Sequence, residues 1–155
     1  MAIDLKEEFG LLKGEMTNAV NAFISGCKEF NPKGKTGGIL VCADIDGNII
    51  ASAQIGEIEG DPQKYYDTAY RKIQQMVDNP GHLSSYPSRD PEKGKWGGGI
   101  HLFEIGLFAF SGLPELADEA CLLKALDNRG LILDLQFMVE VLALSENRIF
   151  ENLNC

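Results

Sequence analysis

The chain is poor in the residues that most often announce chemistry. It holds two histidines, one tryptophan and four cysteines in 155 residues. Neither HExxH nor any paired histidine spacing occurs, so a zinc site of the enzyme type is not indicated. No two of Cys27, Cys42, Cys121 and Cys155 are close enough to form a CxxC or zinc-type pair. The first three sit within apolar patterns and read as buried, reduced thiols rather than a disulfide framework. Basic residues are scarce as well: 14 Lys and Arg against 23 Asp and Glu leave a net charge of −9. An acidic surface repels phosphate backbones and anionic lipid, which argues against nucleic acid and membrane partners. No apolar run reaches spanning length, and the charged start, Met1 to Glu8, lacks the apolar core of a signal peptide. A cytoplasmic protein is therefore expected. Neither internal repeats nor low-complexity segments interrupt the chain. It also has no nucleophile-elbow G-x-S-x-G, and no Gly-Lys-Ser/Thr follows its glycine run.

What is present is sufficient for one domain with a real core, 45% hydrophobic and 24% charged. Apolar residues at Leu12, Met16, Ala19, Val20, Phe23, Ile24 and Cys27 step by three and four, one face of a helix. Asn31 to Lys35 then supplies breakers. Two β-prone runs, 38–45 and 48–53, flank Asp46-Gly47, which predicts a hairpin with a type I′ turn. Asp61-Pro62 opens a second helix whose apolar face includes Tyr65, Ala69, Ile73 and Met76; Asn79-Pro80-Gly81 stops it. A long polar loop, 82–95, leads to a second strand pair over 98–110, with a tight connection near Glu104 to Gly106. Pro114 begins a third helix that ends near Asn128 to Gly130. The tail reads as a short strand or extended piece followed by a helix that Asp134 could cap. Its apolar density predicts docking on the core or on another subunit. Two hairpins separated by helices imply an α+β domain, an antiparallel sheet with flanking helices.

In order, these motifs resemble the GlcG/HbpS/PduO-C-terminal group, the haem-degrading domain family. The marks of the resemblance are the turn Asp44-Ile45-Asp46-Gly47, the helix Ala69-Tyr70-Arg71-Lys72-Ile73 and the strand entry Gly98-Gly99-Ile100-His101-Leu102. The pair Ser111-Gly112 and the helix start Asp118-Glu119-Ala120 complete it. Together they span roughly residues 15 to 130. His101 stands where the family has proline, and Ile73 replaces an alanine. The resemblance implies a profilin-like or PAS-like fold over a single 1–155 domain, with 131–155 an extra C-terminal segment. It also implies a homo-oligomer that binds a small molecule, with haem or a related tetrapyrrole leading. An enzyme acting on haem or a small metabolite, or a ligand-free partner subunit, are the alternatives.

The candidate ligand-binding residues are Lys72, Trp96, Gly98, Gly99, His101 and Ser111. Each has a plainer reading beside it. Lys72 and Arg71 could pair with a carboxylate, or occupy an exposed helix face. Gly98 and Gly99 mark either a bulge or a close approach by a ligand, with the softened sheet edge leaving room for a guest. His101 reads as a hydrogen-bonded strand residue or as a haem-iron ligand. Ser111 precedes a helix whose free N–H groups could hold an anion, or it sits at an ordinary corner. Trp96, with Tyr86, lines an apolar pocket or belongs to core or interface. Asp118 and Glu119 read as first-turn acids that favour the helix dipole. The expected pocket lies between the sheet and the second helix, near the 82–101 segment.

Overall fold

A computed structural model of the chain describes residues 3–155. The first helix, α1, runs Leu5–Gly26, a turn or two earlier than its apolar periodicity predicts. The reason is Asp4, whose carboxylate accepts hydrogen bonds from the backbone N–H groups of Lys6 and Glu7 and so caps the helix. Phe9, Leu12, Met16, Ala19, Val20 and Phe23 form its buried stripe.

Strands β1 (Thr36–Ala43) and β2 (Ile49–Glu57) make the first hairpin, and β3 (Gly99–Leu102) and β4 (Gly106–Ser111) the second. All four join in one antiparallel sheet of order β2-β1-β4-β3. The two hairpins meet along β1 and β4, where Leu40 lies opposite Phe110 and Cys42 opposite Phe108. The first turn is not type I′. Gly47 has φ 89°, whereas Asp46 is not among the residues with positive φ. The reason is Asp44: its Oδ1 accepts from the N–H groups of Asp46 and Asn48, both at 3.0 Å, and its Oδ2 from Asn48 Nδ2. The side chain thus builds a longer loop closed by one left-handed glycine.

Strands β1, β3 and β4 are buried on both faces, which explains why β1 reads as an unbroken apolar run, whereas β2 at the edge is mostly half-buried or exposed. Leu40, Cys42, Phe108 and Phe110 face a core shared with α1 and with α3 (Glu115–Asn128). Ile39, Val41, Leu107 and Ala109 face α2 (Pro62–Asp78), which contributes Ala69, Ile73 and Met76. The architecture is α+β: helices, an antiparallel sheet and one helix on the far side.

The tail adds α4 (Leu135–Ser145), capped by Asp134, whose side chain accepts from Gln136 N–H. Residues 131–134 form no strand. The leucine alternation there is decided by docking: Leu131 is buried while Leu133 is 89% exposed. Leu131, Met138, Val141, Ile149 and Leu153 join the α1/α3 core. This covers the outer side of α3 and explains a helix that is apolar on nearly every side. Among the described residues, no helix is long and apolar enough to cross a membrane. Cys27, Cys42 and Cys121 are buried and unpaired; burial and the nearby Asp44 carboxylate push the Cys42 thiol up to about 12.

Candidate functional site

A cleft of about 560 Å³ opens at one end of the sheet. Its walls come from three places: the loop before β1 (Phe30, Lys33, Lys35), the first half of α2 (Lys64, Tyr65, Thr68, Lys72), and the corner from β4 into α3 (Ser111 to Glu115 and Asp118). Trp96 closes one side. The volume falls within the range of small-molecule pockets.

The floor is an ion pair. Lys72 Nζ lies 3.0 Å from Asp118 Oδ2, with the two side chains 1% and 4% exposed. The same ammonium donates to the Phe110 carbonyl. Asp118 Oδ1 in turn accepts the N–H of Leu113 at 2.9 Å. Burial pushes the Asp118 carboxyl up to about 6, against the opposing pull of the Lys72 charge and the Leu113 and Gly112 N–H groups. Desolvation therefore outweighs the pairing, as for other buried ion pairs.

Three glycines make this geometry possible. Gly98 has φ 112°, and a Cβ there would lie 2.6 Å from Lys72 Nζ and 2.9 Å from Asp118 Cβ. The space beside it is filled by the ion pair, so the glycine edge accommodates the protein's own side chains and not a guest. Gly99 is packed the same way, its would-be Cβ 2.8 Å from the Met76 methyl. At Gly112, φ 156°, a Cβ would fall 2.1 Å from the Gly37 carbonyl oxygen. The β4–α3 corner thus crosses the start of β1 backbone against backbone. It brings Ser111 and Asp118 onto the α2 side.

The neighbouring loop is tied down. Arg89 Nε donates to Glu115 Oε2 at 2.9 Å, and its second nitrogen reaches Oε1. The N–H of Gly97 adds a third bond to the same carboxylate at 2.9 Å. Gln75, buried on α2, donates to the Ser85 and Trp96 carbonyls at 3.0 and 3.2 Å. The Arg89 guanidinium also lies over the Tyr86 ring, 4.9 Å from its centre. These contacts fix Trp96 at the cleft mouth, where it is 36% exposed.

Of the residues singled out from sequence, Lys72, Trp96 and Ser111 line the cleft. Gly98 and Gly99 stand behind its floor and shape it. Trp96 is the one lining residue from the 82–101 segment. His101 is elsewhere: it pairs with Leu107, further down the sheet. It is 7% exposed and stacked on Phe103 with ring centres 4.1 Å apart. Burial holds its imidazole below the ordinary range despite the His82 carbonyl. Lys72 is not on an exposed face, whereas Arg71 is. Asp118 and Glu119 are not solvated first-turn acids either; both are buried. Glu119 Oε1 accepts from Ser145 Oγ and from Asn147 Nδ2, the latter at 3.1 Å. That ties α3 to the tail. The lysines of the loop before β1 carry no motif and were invisible as site residues.

No protein-family model matches this chain, and neither a curated protein nor a solved structure matches it. The fold and site define an α+β domain with a lysine-bearing cleft over a buried Lys–Asp pair.

Proposed function

We propose that this protein is a small-molecule-binding domain, a sensory or accessory component of the GlcG/HbpS-like kind, whose site is the cleft above Lys72 and Asp118. The observation that carries the reading is a convergence. Residues on which the family resemblance rests, Lys72, Gly98, Ser111, Gly112 and Asp118, meet at that one floor although they lie far apart in sequence. Aromatic walls and a few polar groups above it are the usual make-up of a ligand pocket.

Iron-bound haem does not suit the donor set. Among the residues lining the cleft none is His, Cys or Met, and Tyr65 is the one side chain there of the common haem-ligand types. His101, the histidine considered for that role, is off the cleft. A second reading, an enzyme, is favoured by one observation: a carboxyl at about 6 beside an ammonium at the base of a cleft. Such a group exchanges protons near neutrality. Self-association belongs to the same proposal. It is supported by the exposed Leu135, Val139 and Leu144 on α4, and a cytoplasmic setting by the unpaired buried thiols.

Trp96 is the only tryptophan in the chain and stands at the cleft mouth. The test is a screen of small metabolites by its fluorescence, alongside thermal stability, in wild type and in Thr68→Phe, which fills the cleft. Compounds that shift both Trp96 emission and Tm in wild type, and neither in the variant, meet the expectation. If every stabilising compound leaves Trp96 silent, or acts equally on Thr68→Phe, the cleft is not the site.

A further inference from the structure

Resting on the reading of the cleft as a ligand site, we infer the class of its ligand: an amphipathic organic anion, with a flat apolar body in the cleft and its oxyanion held at the lysine-bearing mouth. Charge complementarity carries this. Four lysines and two carboxylates line the cleft. Both carboxylates are already matched, Asp118 by Lys72 and Glu115 by Arg89. The remaining three, Lys33, Lys35 and Lys64, have no carboxylate within salt-bridge distance among the described residues. Three cations that make no ion pair thus gather at one opening of a molecule whose net charge is −9, with Asp61 and Asp67 in the groove beyond Lys64 and Glu57 and Glu59 in the one beyond Lys35. An acidic protein with so few cations attracts anions only where such a local excess exists.

The walls define the other half of the ligand. Tyr65 and Trp96 face the opening, with Phe30, Leu113 and Pro114 further around it. Lys35 Nζ lies 5.9 Å from the Tyr65 ring centre and 3.4 Å from its hydroxyl, so cation and aromatic surface are presented together. Flat apolar groups stack on such rings while a charged end meets the ammonium groups. A purely hydrophilic anion leaves the aromatic surface bare, and a neutral aromatic leaves the lysines unmatched.

The test uses three probes of one shape, measured by calorimetry at pH 8: naphthalene-2-carboxylate, its neutral carboxamide, and 2-naphthylmethylammonium. The carboxylate is expected to bind best and the ammonium worst, with a steep loss of carboxylate affinity as salt rises. Each of Lys33→Glu, Lys35→Glu and Lys64→Glu is expected to weaken the carboxylate roughly twofold to fivefold. The three together are expected to reverse the order in favour of the ammonium. Lys13→Glu, an exposed change on α1 with the same effect on net charge, is expected to leave the order intact. If the carboxamide binds as well as the carboxylate and Thr68→Phe blocks both, the inferred class is overturned while the cleft remains a ligand site. If no probe binds, the inferred class is overturned, and the metabolite screen with Thr68→Phe decides separately whether the cleft is a ligand site. If Lys13→Glu acts as strongly as the rim variants, the preference belongs to the whole molecule and the local inference falls.

Discussion

Removing one partner of the Lys72–Asp118 pair should cost far more than removing both. In Asp118→Asn the ammonium of Lys72, 1% exposed, keeps the Phe110 carbonyl but loses its counter-charge and meets an amide. Breaking a buried pair in this way costs about 3–5 kcal/mol, because the surviving charge has neither water nor partner. For a domain of this length that corresponds to a fall in Tm on the order of 10 °C. Lys72→Met leaves a different survivor. Asp118 can escape by taking a proton, and its carboxyl already stands at about 6 with Lys72 present. Losing that cation raises it further, so the variant is expected to be nearly as stable as wild type at pH 5 and progressively worse towards pH 8. The double variant Lys72→Met/Asp118→Leu buries no charge and is expected to lie within about 2 kcal/mol of wild type. Urea unfolding followed by circular dichroism at pH 5, 6.5 and 8 gives the full cycle. Additive single-variant costs, or a Lys72→Met penalty that does not change with pH, would refute the view that desolvation dominates this floor.

Gly98→Ala is expected to destabilise by about 2–4 kcal/mol, since left-handed strain adds to overpacking against Lys72 Nζ at 2.6 Å; a Tm within a degree of wild type would deny the close packing. For naphthalene-2-sulfonate, which stays ionised, affinity is expected to rise a few-fold as pH falls through about 6, because protonating Asp118 leaves the Lys72 charge uncompensated beneath the ligand. Calorimetry checks this, and Asp118→Asn should abolish the dependence, whereas Glu119→Gln should not. The Glu119 carboxyl is also held above its ordinary range by burial, and its Oε2 has no partner. A raised carboxyl means that the folded state keeps a proton that the unfolded chain releases, so its stabilising effect is full at acidic pH and lost as pH rises through the folded value. Glu119→Gln should therefore narrow the stability difference between pH 5 and pH 8. Deleting residues 131–155 removes Met138, Val141, Ile149 and Leu153 from the core and is expected to cause aggregation or an altered sedimentation profile; an unchanged monodisperse profile would deny that the tail is structural.

The fold was legible where the signal is local. Periodic apolar positions marked α1 and α2, and Asp61-Pro62 marked the start of the second of these with its cap. Asp46-Gly47 located the first hairpin but misled on turn type, because the Asp44 side chain, two residues before Asp46, builds the loop. The alternating leucines at 131–135 fitted a strand and none formed. Period alone cannot tell an extended segment that pairs from one that merely passes over a core.

The site was legible in part, and the division has a physical cause. Glycines at 98, 99 and 112 were visible as places where something comes close, yet the sequence does not say what. The visitors are Lys72 and Asp118 at Gly98, Met76 at Gly99, and the β1 backbone at Gly112. Asp118 looked like a helix-dipole acid because it lies in the first turn after Pro114, where such acids sit. Its burial depends on a lysine 46 positions away, and no local pattern carries a pair separated by that distance. The same holds for the lysines of the cleft mouth. Lys33 and Lys35 lie in a breaker segment and Lys64 on a helix face, each unexceptional alone. Only the crossing at Gly112 and the docking of α2 on β1 and β4 turn three scattered charges into one positive opening. An acidic composition therefore argues against an extended polyanion such as nucleic acid, but it does not argue against a small organic one. Repulsion by a net charge of −9 acts over the whole surface and is screened within roughly 10 Å, while a ligand inside the cleft meets the three unmatched ammonium groups at its mouth.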